Sequence, residues 1–399
     1  MNSDPSKLDK NDIDALYRKN QVKSISFLVA LSGVLVLATL LSLRAGSYET
    51  PIGELLKGIF GQSSDRKINI IVRSNRLPRI ITAILAGGGL GLAGCILQAV
   101  LRNPLASSST LGVSQGATFG AAFAIVVLGM GTTAGFGIPL CAFLGSIAVA
   151  LVILGLSRFR QVSPEGIVLA GVAISSMFTG ATTLIQYFAD EVQLSTLVFW
   201  TFGDLGSTGW EDLAGLGIAV AVLCVYCFAH RWDYNALLSG EETAISLGIH
   251  IKRLTLVGMI LCCLTSSVVV SNVGLISFIG LVAPHIVRMV VGNNHVYLIP
   301  GSVLGGAALL LLGDLFARTV IWVLGTLWET KATCFATSLP GCFSRFSPSR
   351  ITSPESGFRI WLKHLRSVLL PTPLLPRIAR NLPGSMRKDT SFKTSGLPL

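Results

Sequence analysis

The stretch LPRIITAILAGGGLGLAGCILQAVLRNPLA, residues 77–106, decides the fold. Within it, residues 80–101 carry no charge and are long enough to cross the roughly 30 Å hydrocarbon core of a bilayer as a helix. Its glycines are typical of membrane helices that approach one another closely. Gln98 is costly in lipid unless it is paired, which favours a position facing the helix bundle or a translocation path. A simple hydrogen bond between two helices explains Gln98 equally well.

Eight other runs of the chain are similarly apolar. The 399 residues are 51% hydrophobic and only 13% charged, which leaves too little polar surface for a soluble domain of this size. The sequence therefore predicts an all-α fold, a polytopic membrane helix bundle with about nine crossings in a lipid bilayer. The other runs are 24–43, 111–130, 134–156, 166–188, 213–230, 254–273, a shorter one at 275–291, and 297–325.

The net charge of +11 does not indicate a nucleic-acid partner. Residues 319–399 hold 11 Lys/Arg against 3 Asp/Glu, so 8 of the 11 surplus charges lie in the last fifth of the chain. Six of the eight cysteines lie in apolar runs, where a thiol acts as a small hydrophobic group. The C-x-x-C formed by Cys224 and Cys227 has no second pair or histidine cluster beside it, so no metal site is predicted.

Loop charge predicts the orientation, because Lys and Arg are retained on the cytoplasmic side. Basic residues are concentrated in 1–23, 157–161 and 231–253, whereas 189–212 has five acidic residues and no basic one. The amino terminus is therefore predicted to be cytoplasmic. The loop 44–79, predicted to lie outside, breaks the rule with seven Lys/Arg, which indicates either tolerance of charge or a docking surface for an acidic partner.

No catalytic constellation is found. No lysine follows a glycine, so the phosphate-binding G-x-x-x-x-G-K-[ST] loop is absent from the sequence. The chain is therefore predicted not to be an enzyme and to bind no cofactor, and any ATP hydrolysis belongs to a separate chain.

Several long motifs occur at the ends of the apolar runs. With these motifs the sequence resembles the FecCD family, the permeases of importers for iron-siderophores, haem and cobalamin, from about residue 25 to about residue 320. The motifs are RLPR (76–79), RNPLA (102–106), LGVSQGA (111–117), NALLSGEETAISLG (235–248), GLISFIGLVAPHIVRMVVGNNH (274–295) and GDLFAR (313–318).

The resemblance implies a ten-helix permease subunit in a bacterial cell membrane. Such a subunit forms a homodimer or heterodimer with a second permease, binds two cytoplasmic ATPase subunits and receives cargo from an extracytoplasmic binding protein. Loop charge, composition and the loss of the family pattern after GDLFAR divide the chain into a cytoplasmic segment 1–23, a permease domain 24–327 and an atypical tail 328–399. The tail holds 8 of the 16 prolines and no spanning run, so it is predicted to be disordered or frameshifted and to replace the family's last helix.

The segment 235–248 lies on the predicted cytoplasmic side and is helix-prone, with Asn235 as a cap and two glutamates early. By resemblance it couples the permease to the ATPase, whereas the residues alone also suit a solvated loop. The residues assigned to coupling are Asn235, Ala236, Leu237, Ser239, Gly240, Glu241, Glu242, Leu247 and Gly248.

Gly280 and Pro284 interrupt an apolar run, and backbone breaks at membrane depth are tolerated only where they are buried or line a cavity. His285 and Arg288 follow, and as a lone pair they favour a structural role. By resemblance this element shapes the cytoplasmic side of a gate. The residues assigned to the pathway and gate are Gln98, Asn103, Pro104, Gly280, Pro284, His285 and Arg288.

Arg76, Arg79 and Arg318 are predicted to lie together on the extracytoplasmic face. By resemblance they receive acidic residues of the binding protein, and guanidinium groups suit bidentate contacts with carboxylates.

The cargo is predicted to be a ferric siderophore, the commonest for the family, with haem or cobalamin as alternatives. A secondary transporter or channel is a further alternative. It needs buried acidic ion sites, for which Asp314 is the candidate within a span.

Overall fold

A computed structural model of the chain describes residues 10–45, 51–63, 65–131, 136–158 and 163–338. These residues form helices and connecting turns, without strands. The helices are α1 Lys10–Arg44, α2 Ile52–Ile59, α3 Arg66–Ile70, α4 Leu77–Val100, α5 Val113–Ala122, α6 Gly137–Arg158, α7 Pro164–Tyr187, α8 Glu191–Phe202, α9 Trp210–Ala229, α10 Arg231–Leu238, α11 Glu241–Ser246, α12 Ile251–Val273, α13 Ile279–Val291 and α14 His295–Ser338, with π-helical turns at Ile71–Arg76 and Phe123–Val127.

Seven of the described helices are long and apolar enough to cross a membrane, and two shorter apolar ones lie at Val113–Val127 and Ile279–Val291. Each of the nine predicted runs overlaps one of them. The prediction of an all-α polytopic bundle is confirmed. The long segments are Arg18–Arg44, Arg66–Val100, Gly137–Leu156, Pro164–Tyr187, Trp210–Ala229, Ile251–Val273 and His295–Val320.

Two predicted loops are wrong, because they contain short helices. The 44–79 loop holds α2, α3 and a π-helical turn, and the 189–212 loop holds α8. The start of α8 is fixed by a reciprocal cap, in which Asp190 Oδ1 accepts from the Gln193 N–H at 2.8 Å and Gln193 Oε1 accepts from the Asp190 N–H at 3.1 Å. Charged residues in these segments predicted loops, but charged side chains such as Asp190 can also cap and begin a short helix.

The described helices extend beyond both limits of the predicted permease domain, residues 24–327. Residues 10–23, predicted as a cytoplasmic segment, form the start of α1. At the other end, α14 continues past residue 327 to Ser338. A second compact unit begins at Gly325, and its described residues are helical. Residues 339–399 lie outside the described residues, so the tail remains a prediction.

The central helix is α4, which contacts α9, α12 and α13. In its span 83% of the residues are buried, against 17% for α7. Its glycines allow this position. A Cβ at Gly87 or Gly91 would overlap backbone oxygens of α14, and one at Gly94 would overlap the carbonyl oxygen of Gly280 on α13. The backbone of α4 is therefore in direct contact with both neighbours.

The break before α13 has a local cause. Gly274 and Phe278 both have positive φ, +80° and +68°, and this left-handed backbone turns the chain before α13 begins. Pro284 then removes the N–H that would bond to the carbonyl of Gly280, four residues earlier. That carbonyl oxygen lies against Gly94, which has no side chain to exclude it. Gly280 and Pro284 thus allow the backbone of α13 to pack directly against α4.

Gly94→Ala is expected to lower the free energy of unfolding by about 1–3 kcal/mol, because the added methyl group overlaps the Gly280 carbonyl oxygen in a packed interface. Gly215→Ala on α9 is the control, since a Cβ there meets nothing within 4 Å. Denaturant titration of both purified variants in mixed micelles measures the difference. Equal losses in the two variants would contradict the packing argument.

Candidate functional sites at the two ends of the central helix

At one end of α4 the chain forms a cavity of about 350 Å³. It lies between the end of α4, the α10–α11 turn, the end of α13 and the start of α14. Residues assigned separately to the gate and to coupling meet in this cavity. Its lining comprises Gln98, Ala99, Arg102, Pro104, Leu237, Leu238, Gly240, Arg288, Asn293, His295 and Leu298.

An ion pair joins the RNPLA turn to the segment assigned to coupling. Arg102 Nη2 lies 3.0 Å from Glu241 Oε1, and the two side chains are about half exposed. Arg102 has a positive φ of 46°, so a non-glycine residue holds a left-handed conformation where the chain leaves α4. The pair connects the end of the central helix to the first residue of α11.

The segment assigned to coupling, residues 235–248, covers the second half of α10 and all of α11, with Gly240 between them at φ +116°. Leu237 and Ala244 are buried, which anchors both helices to the bundle. Tyr234 is also buried beneath the segment, and this burial raises the pKa of its phenol. The outer surface carries exposed apolar side chains beside the two glutamates, namely Leu238, Ile245 and Leu247. The segment therefore presents an amphipathic surface.

Asn235 was predicted to cap its own helix, and this is wrong. It lies within α10, and its side chain caps α14 instead. Asn235 Oδ1 accepts from the His295 N–H at 2.7 Å, and Nδ2 donates to Asn294 Oδ1 at 2.9 Å. An asparagine sixty residues from the helix it caps gives no local sequence signal.

The residues assigned to the gate occupy different environments. Gln98 is buried, and its amide donates to the Leu281 carbonyl on α13 at 3.4 Å, a contact between helices. Asn103 accepts from the Leu105 N–H at 2.9 Å and shapes the turn after α4. Pro104 and His285 are exposed, and Arg288 is partly buried. His285 therefore lies apart from the cavity that Arg288 lines.

At the other end of α4 two of the three predicted arginines, Arg79 and Arg318, meet at Asp314, whose side chain is only 3% exposed. Arg79 donates to Asp314 Oδ1 from Nε at 2.9 Å and from Nη2 at 2.7 Å. Arg318 Nη2 lies 2.9 Å from Asp314 Oδ2. Asp314 thus holds α4 and α14 together by charge-assisted contacts.

Arg76 belongs to the cluster but not to its surface. It is 5% exposed, and its Nη1 donates to the Leu43 carbonyl at the end of α1 at 2.7 Å. Arg318 also reaches α1, through Ser42 and the Ala45 carbonyl. Arg79 and Arg318 therefore supply the exposed guanidinium edges. About a quarter of the Arg79 side chain and a fifth of the Arg318 side chain are accessible.

Sequence reasoning missed Asp204, an exposed carboxylate 3.7 Å from Arg79 Nη1. Its loop is attached to the end of α12, because the Asp204 N–H donates to the Val273 carbonyl at 2.8 Å. The acidic excess in 189–212 was a signal for this residue, but it was used for orientation alone.

A second cavity, of about 410 Å³, was also missed and lies between α5 and α7. Six of its seven lining residues carry a hydroxyl or an amide group. A spacing of three to four residues among the serines and threonines of α7 is the sequence signal that indicates it. The lining residues are Ser109, Thr110, Gln115, Val172, Ser175, Ser176 and Thr179.

Comparison with known families gives one match that spans most of the chain. The model of the FecCD transport family matches residues 34–328. The chain belongs to the FecCD transport family. The match contains every residue assigned above to coupling, gate and docking.

Named FecCD-type relatives and a solved structure are similar over about three quarters of the chain. A protein of Methanocaldococcus jannaschii, named as an ABC transporter permease, is 44% identical over 319 residues, which are 78% of this chain and 91% of that protein. The vitamin B12 import system permease protein of Salmonella typhi is 34% identical over 304 residues, 76% of this chain and 90% of that protein. A metal-chelate type ABC transporter solved in an inward-facing conformation has a TM-score of 0.65 and 29% identity, covering 74% of this chain and 91% of that one.

In this FecCD protein, Asp314→Asn is expected to lower the free energy of unfolding by about 3 kcal/mol, because it leaves clustered arginines without their buried counter-ion. Asp204→Asn is the matched control. Its carboxylate is 61% exposed, and the expected change is below about 1 kcal/mol. Denaturant titration in micelles compares the two variants, and a smaller loss for Asp314→Asn than for Asp204→Asn would show that the cluster does not depend on Asp314.

Proposed function

We propose that this chain is the permease subunit of an ATP-binding-cassette importer that carries a ferric siderophore across a bacterial cell membrane. The observation that carries the proposal is the Arg102–Glu241 ion pair, which joins the central helix to an exposed pair of short helices. Such a joint lets movement of α10 and α11 reach the membrane helices. Membership of the FecCD family and the similarity to named permeases support the same conclusion.

The partner on α10 and α11 is a separate ATPase, two copies for each permease dimer. Exposed Leu238, Ile245 and Leu247 supply apolar contact area, and Glu242 supplies charge at the rim. An apolar centre with polar edges is typical of a protein interface. With this face toward the cytoplasm, the arginine cluster at the other end of α4 faces outward and the amino terminus lies inside.

The cargo path runs along α7, where a second permease closes it. This helix is mostly exposed, and its hydroxyl groups line a cavity of about 410 Å³ with Gln115 of α5. Hydroxyl and amide groups solvate a hydrophilic chelate better than an apolar wall does. A homodimer or heterodimer would place two such faces opposite each other.

The secondary-transporter alternative is weakened by the state of Asp314. That alternative needs a buried carboxylate free to bind an ion, whereas Asp314 is paired with Arg79 and Arg318. Among chelates, the relative named for vitamin B12 import favours cobalamin as the second candidate cargo, and haem is the third.

Glu242→Lys combined with Leu247→Glu is expected to reduce recovery of the ATPase with the purified permease at least tenfold, because both exposed side chains lie on the docking surface. Glu211→Lys at the start of α9, at the opposite end of the bundle, is the charge-matched control and should retain the ATPase. Proteoliposomes containing each assembly and the binding protein are then tested for ATP-dependent uptake of ferric siderophore, cobalamin and haem. Full assembly of the double variant with the ATPase would contradict coupling through α11. Uptake of cobalamin alone would show that the cargo is cobalamin and not a ferric siderophore.

Asp204→Asn is expected to speed association of the acidic binding protein and to make it more salt-sensitive. Asp204 occupies the exposed side of Arg79, where an incoming carboxylate would compete with it. Surface plasmon resonance at low and high salt measures the association rate. Glu191→Gln on the same predicted face is the control, since no ion pair joins Glu191 to an arginine among the described residues. Slower or unchanged association by Asp204→Asn would show that Arg79 does not receive the partner's carboxylate.

A further inference from the structure

Arg288 lines the cavity at the inner end of α4 without an ion pair or a side-chain hydrogen bond among the described residues. It shares this lining with His295. The second arginine of the cavity, Arg102, forms an ion pair with Glu241, and its side chain is 42% exposed. No acidic residue lines the cavity itself. The cavity therefore has a surplus of positive charge that the surrounding residues do not neutralise.

Two other polar groups of the cavity lining also lack partners in the part of the chain that the structure describes. Gln98 Oε1 and His295 Nε2 belong to side chains that are 3% and 1% exposed, and neither atom has a hydrogen-bond partner there. Buried polar atoms are nearly always hydrogen-bonded, and both of these atoms are acceptors, so they indicate a polar ligand that also carries a donor, such as the hydroxyl of a hydrogen phosphate or of a lipid headgroup. The first N–H groups of α14 are already bonded to Asn235 and Asn294. The ligand is consequently held by side chains and not by the helix terminus.

The volume and location of the cavity fit a small anion. About 350 Å³ is at the lower end of the range of small-molecule sites, roughly 300–1,000 Å³. Its mouth lies on the proposed cytoplasmic side, and basic pockets between membrane helices on that side bind anionic lipid headgroups. A guanidinium offers a fork of donors that matches phosphate oxygens.

We propose that the cavity between α4, α10, α13 and α14 is a phosphate-binding site, with Arg288 as its principal ligand. Arg102 also lines the cavity and has further donors for phosphate while it keeps its pair with Glu241. The amide of Asn293, which is exposed at the rim, supplies a further donor. With His295 Nδ1 donating to Asn235 Oδ1, Nε2 carries no hydrogen and can accept a hydrogen bond from a hydroxyl of the ligand.

This site adds a ligand to the region between the gate and α11. A bound phosphate would join Arg288 on α13 to the Arg102–Glu241 pair, and so stabilise one arrangement of α4, α11 and α13. The phosphate belongs either to an anionic phospholipid headgroup or to a free phosphate in the cytoplasm. The proposal is independent of transport, because binding can be measured on the chain alone.

The test uses the full-length chain in nanodiscs of phosphatidylcholine. In one arm, inorganic phosphate is titrated against chloride at matched ionic strength while the thermal unfolding midpoint is followed. In the other arm, phosphatidylglycerol is added to the nanodiscs and the lipid retained by the protein is counted by native mass spectrometry. Wild type is compared with Arg288→Gln and with Asn293→Asp, which places a negative charge at an exposed rim position and should not impair folding. Lys252→Gln, an exposed cation at the start of α12, is the matched control.

Both site variants are expected to weaken phosphate or lipid binding at least tenfold, while Lys252→Gln binds as wild type does. A response to inorganic phosphate alone identifies a free phosphate, and retention of phosphatidylglycerol alone identifies a headgroup. No binding in either arm, or equal binding by wild type and both site variants, would overturn the proposal. Loss of ATPase assembly by Arg288→Gln with unchanged anion binding would also overturn it and would assign the cavity to a carboxylate of the ATPase.

Discussion

The contact of the α4 backbone with α13 and α14 is the constraint on which the other features depend. In a bilayer, lipid tails are as apolar as the helices, so helix association depends on close packing and not on exclusion of water. Gly87, Gly91 and Gly94 make this packing closer than any side chain would allow. Pro284 contributes from the other side, because it frees the Gly280 carbonyl oxygen that lies against Gly94. A fold fixed in this way tolerates little change in the relative positions of the three helices.

The two candidate sites share the closely packed helices α4 and α14. Arg79 lies in the first turn of α4 and Gln98 in its last, about 28 Å apart at 1.5 Å per residue. The start of α14 borders the cavity that Arg288 lines, and the same helix carries Asp314 and Arg318 toward the opposite end of the bundle. A displacement of α4 against α14 would therefore alter both sites together. Such coupling between the two sites requires that α4 and α14 each move as a rigid unit.

The sequence predicted features that depend on length and composition, and failed where the cause is a contact between distant residues. All nine apolar runs were recognisable because a bilayer imposes a minimum helix length. The helices α2, α3 and α8 were missed because they are short and carry charge. The meeting of Arg79 and Arg318 was predicted, but their common partner Asp314 was considered as an ion site. The capping of α14 by Asn235 and the cavity around Arg288 arise from pairings across sixty or more residues, which no local pattern indicates.

The cluster of Arg76, Arg79 and Arg318 shows why arginines packed together beside a membrane need a carboxylate of their own. Three guanidinium groups packed together repel one another, and Arg76 is buried at a depth where an uncompensated charge is costly. Asp314 removes much of that cost and fixes the orientation of Arg79 and Arg318. With Asp204 included, three positive charges face two negative ones, so the net attraction for an acidic partner is about one charge, screened over roughly 10 Å at 0.1 M salt. So small a surplus gives weak long-range attraction, whereas fixed guanidinium forks reduce the entropy lost when a carboxylate binds. In the proposed docking role, the cluster is therefore better suited to recognising the geometry of a partner's carboxylate than to attracting it from a distance.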